Sequence, residues 1–97
     1  MTSKQRAALR KMAHNMDPVL YIGINGITEA TVKEAYDVLE KRELIKCAIQ
    51  DGAQLETYDA CNELCEKVFA EPVQCIGKKF VIYKESRNHK KIDLKAL

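Results

Sequence analysis

The segment Pro18–Thr28, with the sequence PVLYIGINGIT, decides the fold of this 97-residue chain. Its apolar run Val19–Ile22 is bounded by a proline and a glycine, which is typical of a short strand buried on both faces. The following segment, Gly23–Gly26, has the residues of a tight turn, and Thr28 is a favourable helix N-cap residue. The segment therefore predicts a strand that turns sharply into a helix.

The same kind of pattern continues on both sides of this segment. Thr2 and Gln5 form a capping-box pattern ahead of a first helix, and Asp51-Gly52 and Gly77-Lys78-Lys79 are turn signals. We predict helices over about residues 3–14, 28–42 and 54–70, and strands over about 19–22, 44–50, 73–76 and 80–84. This α-β-α-β-α-β-β order predicts a single α/β domain over residues 1–97, with a small mixed sheet packed by helices.

The C-terminal tail is polar. We expect the ordered part of the domain to span about residues 3–84 and residues 85–97 to be loose, with Ile92 and Leu94 able to dock as a short extra strand.

The composition excludes disordered, fibrous and membrane-spanning proteins. The chain is 46% hydrophobic and 31% charged, as in an ordinary globular domain, and it has no apolar run of about 18 residues. No apolar stretch follows Met1, so we expect no secretory signal and a cytoplasmic location. In that compartment Cys47, Cys61, Cys65 and Cys75 should be free thiols that fill apolar space rather than disulfides or zinc ligands.

No motif for catalysis is present. The two histidines, His14 and His89, have no serine, cysteine or carboxylate at a catalytic spacing, and the chain has no phosphate-binding, zinc-protease or hydrolase signature. We therefore expect no enzyme activity, no metal site and no cofactor.

Charge is strongly segregated along the chain. Residues 1–18 carry a net charge of +3 and residues 77–97 a net charge of +5, whereas residues 29–71 carry a net charge of −6. Three central cations have an acid four residues earlier (Glu29–Lys33, Asp37–Lys41 and Glu63–Lys67), which favours local ion pairs on helices. The terminal cations lack such partners, so they would form one positive patch if the fold brings the two ends together. The alternative is that they only make the surface soluble.

The loop Gly23–Gly26 has the outline of an anion site. Two glycines let a backbone approach a ligand closely, and the first amides of the next helix lack intrahelical partners. A phosphate would need neighbouring cations, because Ile24 and Asn25 are uncharged and Glu29 follows closely.

Several motifs in order together resemble the CRM domain (chloroplast RNA splicing and ribosome maturation), in its free-standing bacterial form, the YhbY family. They span residues 3 to about 84 and are Lys4-Gln5-Arg6, Leu9-Arg10, Ala13-His14, Pro18-Val19, Ile22-Gly23, Asn25-Gly26-Ile27-Thr28-Glu29, Glu43-Leu44-Ile45-Lys46, Ile76-Gly77-Lys78 and Val81-Ile82-Tyr83. The resemblance implies a four-stranded sheet, similar to that of the C-terminal domain of bacterial translation initiation factor three. It also implies RNA binding and association with precursor large ribosomal subunits.

The resemblance also assigns candidate RNA contacts. The family's G-x-x-G loop corresponds to Gly23, Ile24, Asn25 and Gly26, although many relatives have a lysine inside this loop. Its basic first helix corresponds to Lys4, Arg6, Arg10 and Lys11, and its basic hairpin to Gly77, Lys78 and Lys79. To the candidate RNA contacts we add Thr28, beside the loop, and Lys84, after the hairpin.

Two functions remain open at this point. The first is a monomeric, non-catalytic protein that binds structured ribosomal RNA. Base stacking is not expected, because Tyr36, Tyr58 and Phe69 fit the buried stripes of helices and Tyr21 and Tyr83 fit a sheet. The second is an interaction module whose acidic helices dock a basic ribosomal protein.

Overall fold

A computed structural model describes all 97 residues and confirms the predicted order of elements. These are α1 (Ser3–Ala13), β1 (Leu20–Ile22), α2 (Glu29–Arg42), β2 (Leu44–Ile49), α3 (Thr57–Val68), β3 (Glu71–Ile76) and β4 (Lys79–Tyr83), followed by a short 3₁₀ turn at Leu94–Ala96. None of the helices combines the length and the apolar character needed to cross a membrane.

The helix starts follow from their capping residues. At α1 the Gln5 backbone N–H donates to Thr2 Oγ1 and the Thr2 N–H donates to Gln5 Oε1, which is the predicted capping box. Helix α3 begins later than predicted, because Glu56 is its N-cap and accepts a hydrogen bond from the Asp59 N–H. It also ends earlier, at Val68, because the next residue, Phe69, has a left-handed backbone (φ +62°) that stops the helix.

The four strands form one mixed sheet in the order β1-β2-β4-β3. Strands β1 and β2 are parallel, and β4 is antiparallel to both of its neighbours. The loop after β1, the end of β2 and the tip of the β3–β4 hairpin therefore lie at the same end of the sheet. We call this the loop end.

Helices cover the two faces of the sheet unequally. Helices α2 and α3 pack on one face, over a large core that includes Leu20, Ile45 and Phe80. Helix α1 packs alone on the other face, where Leu9 and Ala13 contact a smaller cluster. We call these the α2/α3 face and the α1 face.

The segment after β4 is docked, whereas the sequence led us to expect a loose tail. Glu43 is fully buried and accepts hydrogen bonds from the backbone N–H groups of Ser86, Lys91 and Ile92. Glu40 accepts from the Ser86 hydroxyl at 2.7 Å. Ile92 is buried in the α1-face cluster, and Leu94 lies in the 3₁₀ turn rather than in an extra strand.

These contacts change the acidity of both carboxyls. Hydrogen bonds from the Ser86 hydroxyl and then from two backbone N–H groups lower the pKa of Glu40 to about 2. Burial by itself raises the pKa of Glu43, but the three backbone donors outweigh it and the net pKa lies below its ordinary value. Both groups therefore hold the segment in their charged forms.

The four cysteines are free thiols, and Cys47, Cys61 and Cys65 are buried as predicted, but the prediction that all four fill apolar space was wrong for Cys75, which is exposed. The predicted burial of aromatic residues on helices was wrong. Tyr36, Tyr58 and Phe69 are exposed, and Phe69 is 80% exposed because it lies beyond the last turn of α3.

Candidate nucleic-acid interface

The loop Gly23–Gly26 is a tight turn closed by a hydrogen bond from the Gly26 N–H to the Gly23 carbonyl, at 3.0 Å. Gly26 has a φ of +72°, which an L side chain rarely adopts. Ile24 and Asn25 form the tip, and Ile24 is 79% exposed. The turn thus presents backbone and two uncharged side chains to solvent.

The Thr28 side chain caps helix α2. Its Oγ1 accepts a hydrogen bond from the Thr31 N–H at 3.2 Å, and its own N–H donates to Thr31 Oγ1. The hydroxyl predicted to contact RNA is therefore already used to cap α2.

The hairpin tip lies at the loop end and is tied to two other elements. The Ile49 N–H donates to the Lys78 carbonyl at 2.8 Å, and the Thr57 hydroxyl donates to the Gly77 carbonyl at 2.7 Å. These bonds fix the backbone of the tip, while the Lys78 and Lys79 side chains remain exposed. Neither lysine forms an ion pair.

Helix α1 brings the N-terminal cations to the same sheet. It carries four cations and no carboxylate. The Arg6 Nε donates to the Pro72 carbonyl at 3.2 Å, so this guanidinium lies against β3. Arg10 follows one turn later on the same side of the helix, and His14 one turn after that. Lys11 is exposed on the outer surface of α1.

A small cleft joins α1 to the hairpin. It has a volume of about 130 Å³ and is lined by His14, Lys46, Gln74, Ile76, Lys79 and neighbouring strand residues. The Lys46 Nζ donates to the His14 carbonyl at 3.4 Å. Its charged residues are lysines, and no carboxylate lines it. The cleft is therefore suited to an anion.

Sequence reasoning missed Lys46, which was counted with the acidic middle of the chain. A usable signal was present, because Ile45 and Cys47 are buried on the α2/α3 face and strand alternation places Lys46 on the opposite face.

Two predicted contacts lie away from this surface. The Lys84 Nζ lies 3.7 Å from the centre of the Tyr36 ring on α2, beyond the end of β4 that is remote from the loop. Lys4 is in the first turn of α1, near the N-terminal amine that pairs with Glu71 at 3.3 Å. Glu71 is also remote from the loop end, because it is opposite Tyr83 in the sheet.

Acidic residues border the loop on its other side. Gly26 lines a groove with Glu56, Asp59 and Glu63, on the α2/α3 face. Of the predicted local ion pairs, Glu63–Lys67 forms at 2.8 Å, whereas Lys33 pairs with Asp37 at 3.1 Å instead of with Glu29. The acids of α3 therefore border the loop on the α2/α3 face, whereas the cationic cleft lies on the α1 face.

Known proteins are similar to this chain in sequence, and one solved structure is also similar in fold. The chain is 34% identical over 94 residues to the Bacillus subtilis protein named "Probable RNA-binding protein YqeI", and the match covers 97% of this chain and 98% of the relative. It is 35% identical to a Haemophilus influenzae protein named "RNA-binding protein", over 93% of this chain and 91% of that one. The solution structure of SAV1595 from Staphylococcus aureus, described as a candidate RNA-binding protein, matches with a TM-score of 0.73 and 42% identity, over 96% and 97% of the two chains.

The family expected from the motifs is confirmed by a family model that matches residues 1–84. This protein belongs to the CRS1/YhbY (CRM) domain family.

Proposed function

We propose that this protein binds structured RNA through the α1 face and the loop end of its sheet. The observation that carries the proposal is the placement of charge. Helix α1, which has four cations and no carboxylate, packs on the same face as Lys46 and Lys79, and the acidic helices cover the opposite face. The names of the relatives support RNA as the ligand.

The phosphate backbone is the part of RNA that this surface suits best. Arg10, Lys46, Lys78 and Lys79 would neutralise phosphates, while the turn Gly23–Gly26 would approach the sugar-phosphate chain without side-chain bulk. Arg6 would contribute part of its guanidinium, since its Nε already binds the Pro72 carbonyl. Such binding depends mainly on shape and charge rather than on sequence.

The RNA that we propose is ribosomal, on the precursor of the large subunit. This choice rests on the resemblance of the motifs to the free-standing bacterial YhbY form and not on the geometry of the site. The protein would act there as a non-catalytic binding factor in the cytoplasm.

Salt-dependent RNA binding tests the proposal. We expect Arg10→Ala and Lys79→Ala each to weaken binding to a structured RNA and to lower the slope of log affinity against log salt by about one unit for each phosphate that is no longer neutralised. Lys41→Ala is the matched control, because Lys41 is an exposed, unpaired lysine on α2. Affinity that is independent of salt, or an equal loss in all three variants, would contradict the proposal.

The acidic face supports a second candidate, a dock for a basic protein. Asp59 and Glu63 line one groove there, and the exposed ring of Tyr58 lies on the same helix. Changing Asp59, Glu63 and Glu66 to lysine should abolish co-sedimentation with ribosomal particles but leave RNA affinity intact if this candidate is correct. If both properties survive, the acidic face is not the dock.

A further inference from the structure

Helix α1 leaves one half of its own sheet face open. Its buried residues Leu9 and Ala13 belong to a cluster with Leu44, Val81 and Tyr83. Leu44 and Tyr83 are paired at the end of the sheet that is remote from the loop. Toward the loop end the sheet continues beyond this cluster.

The open half contains one row of residues that crosses all four strands. Tyr21 is opposite Ala48, Ala48 is opposite Lys79, and Lys79 is opposite Ile76. All four lie on the α1 face, because their neighbours Leu20, Cys47 and Phe80 are buried on the other face. Tyr21 is 56% exposed and Ile76 is 64% exposed.

Tyr21 is unusual within its strand. Leu20 and Ile22 on either side of it are fully buried, so β1 is anchored while its central ring remains in solvent. Between Tyr21 and Lys79 this row has only the small side chain of Ala48, which is itself buried (8% exposed). An aromatic ring on a rigid strand beside the turn Gly23–Gly26 is therefore available to a flat ligand.

The surroundings of the row are cationic. On β2, Lys46 is two residues before Ala48 and therefore lies on the same face. Lys46 and Lys79 line the cleft that has no carboxylate. The charge complementarity is thus with a polyanion, and a polyanion that also carries flat aromatic groups matches both the lysines and the ring.

We infer that Tyr21 stacks an unpaired RNA base on the open half of the α1 face, with the flanking phosphates held by Lys46 and Lys79. The inference rests on the proposed RNA binding and adds a preference for unpaired nucleotides next to structured RNA. Stacking on an aromatic side chain tolerates any base, so this contact would distinguish loops from duplexes without reading sequence.

The test compares two RNA probes and a set of Tyr21 variants by fluorescence anisotropy. The probes are a stem–loop with an oligouridine loop and a blunt duplex with the same stem. We expect Tyr21→Ala to weaken binding to the stem–loop about fivefold or more and to leave duplex binding nearly unchanged, whereas Tyr21→Phe retains wild-type affinity for both. Tyr58→Ala is the control, because Tyr58 is 62% exposed on the α2/α3 face.

Tyr21→Leu is the control for a loss of stability, since leucine keeps an apolar side chain in β1 but has no aromatic ring. It should lose affinity as Tyr21→Ala does, with an unchanged thermal midpoint. A fluorescent purine analogue in the loop should be quenched by the wild-type protein and by Tyr21→Phe but not by Tyr21→Leu. These results would support the inference.

The outcomes separate the two proposals. If the wild-type protein binds neither probe, the proposed RNA binding fails and the stacking inference fails with it. If the wild-type protein binds the stem–loop and Tyr21→Ala binds it equally well, only the stacking inference is overturned. An equal loss on the stem–loop and the duplex would also overturn it, because Tyr21 would then contact the backbone.

Discussion

Replacing Glu43 with glutamine tests how the C-terminal segment is held. In the wild-type protein, Glu43 Oε2 accepts from the Ser86 N–H and Oε1 accepts from the Lys91 and Ile92 N–H groups. Glutamine has the same shape, but only one of its two terminal atoms can accept. Its oxygen can keep the pair of bonds to Lys91 and Ile92, and its NH₂ group must then face the Ser86 N–H.

The cost can be worked from these bonds. Two hydrogen bonds lose their charge assistance, at about 0.5–1 kcal/mol each, and one buried N–H loses its acceptor, at about 1–3 kcal/mol. The sum is roughly 2–5 kcal/mol, which is a large part of the roughly 5–15 kcal/mol by which a domain is stable. At this chain length it should lower the thermal midpoint by at least about 8 °C.

Two assays check the prediction. Thermal unfolding followed by circular dichroism gives the loss of stability. Trypsin digestion gives the release of the tail, because Arg87, Lys90, Lys91 and Lys95 are cleavage sites within it. We expect Glu43→Gln to be cut in this segment well before the rest of the domain, and before the wild-type protein is cut there.

Glu85→Gln is the matched control for charge. It removes a carboxylate from the same region, but Glu85 is exposed and pairs only with the exposed Lys90, at 3.0 Å. Its thermal midpoint should stay close to that of the wild-type protein. If Glu43→Gln behaves like this control in both assays, the buried carboxylate does not hold the segment and the reasoning is refuted.

Three further predictions concern stability at low pH, the turn Gly23–Gly26 and Lys84. The pKa of Glu40 is lowered from 4.5 to about 2, so its contribution to stability is complete above about pH 4.5 and is lost as the pH falls toward 2. Urea unfolding at several pH values should show the free energy of unfolding falling over this range. Glu40→Gln should reduce that fall. Gly26→Ala should lower the free energy of unfolding, measured in urea, by about 1–2 kcal/mol, because Gly26 has a positive φ. Gly23→Ala should lower it by less, since the added Cβ meets only the movable side chain of Gln50, whose Oε1 is 3.1 Å away. Equal losses in the two variants would contradict this prediction. Lys84→Ala should leave RNA affinity unchanged in a binding titration, because Lys84 lies away from the loop end. A loss of affinity as large as that of Lys79→Ala would show that RNA contacts both ends of the sheet.

Local signals in the sequence were enough to predict most elements. The capping pattern at Thr2 and Gln5 and the turn Gly23–Gly26 each depend on residues close together in the chain, and both have the predicted structure. The docked tail could not be predicted in this way. Its anchors are carboxylates more than forty residues away, and nothing in the polar sequence after Tyr83 indicates that Glu43 is buried.

The candidate site was predicted only in part, and the reason is similar. The chain order showed two basic ends, but only the packing of α1 over one half of the sheet determines which residues stay open there. The apolar run Val19–Ile22 correctly predicted a strand, yet burial on both faces was wrong for Tyr21, because no helix covers that position. Periodicity likewise placed Phe69 in the stripe of α3, although the helix ends before it.

The outer strand β3 also limits how copies of this protein can associate. An unprotected sheet edge invites strand addition from another chain, since it presents unpaired donors and acceptors. Pro72 has no N–H to offer, its carbonyl is occupied by Arg6, and the register shift between Pro72 and Gln74 interrupts the regular spacing that an incoming strand would need. At the opposite edge β1 has only three residues. Neither border of the sheet is therefore a good template for self-assembly.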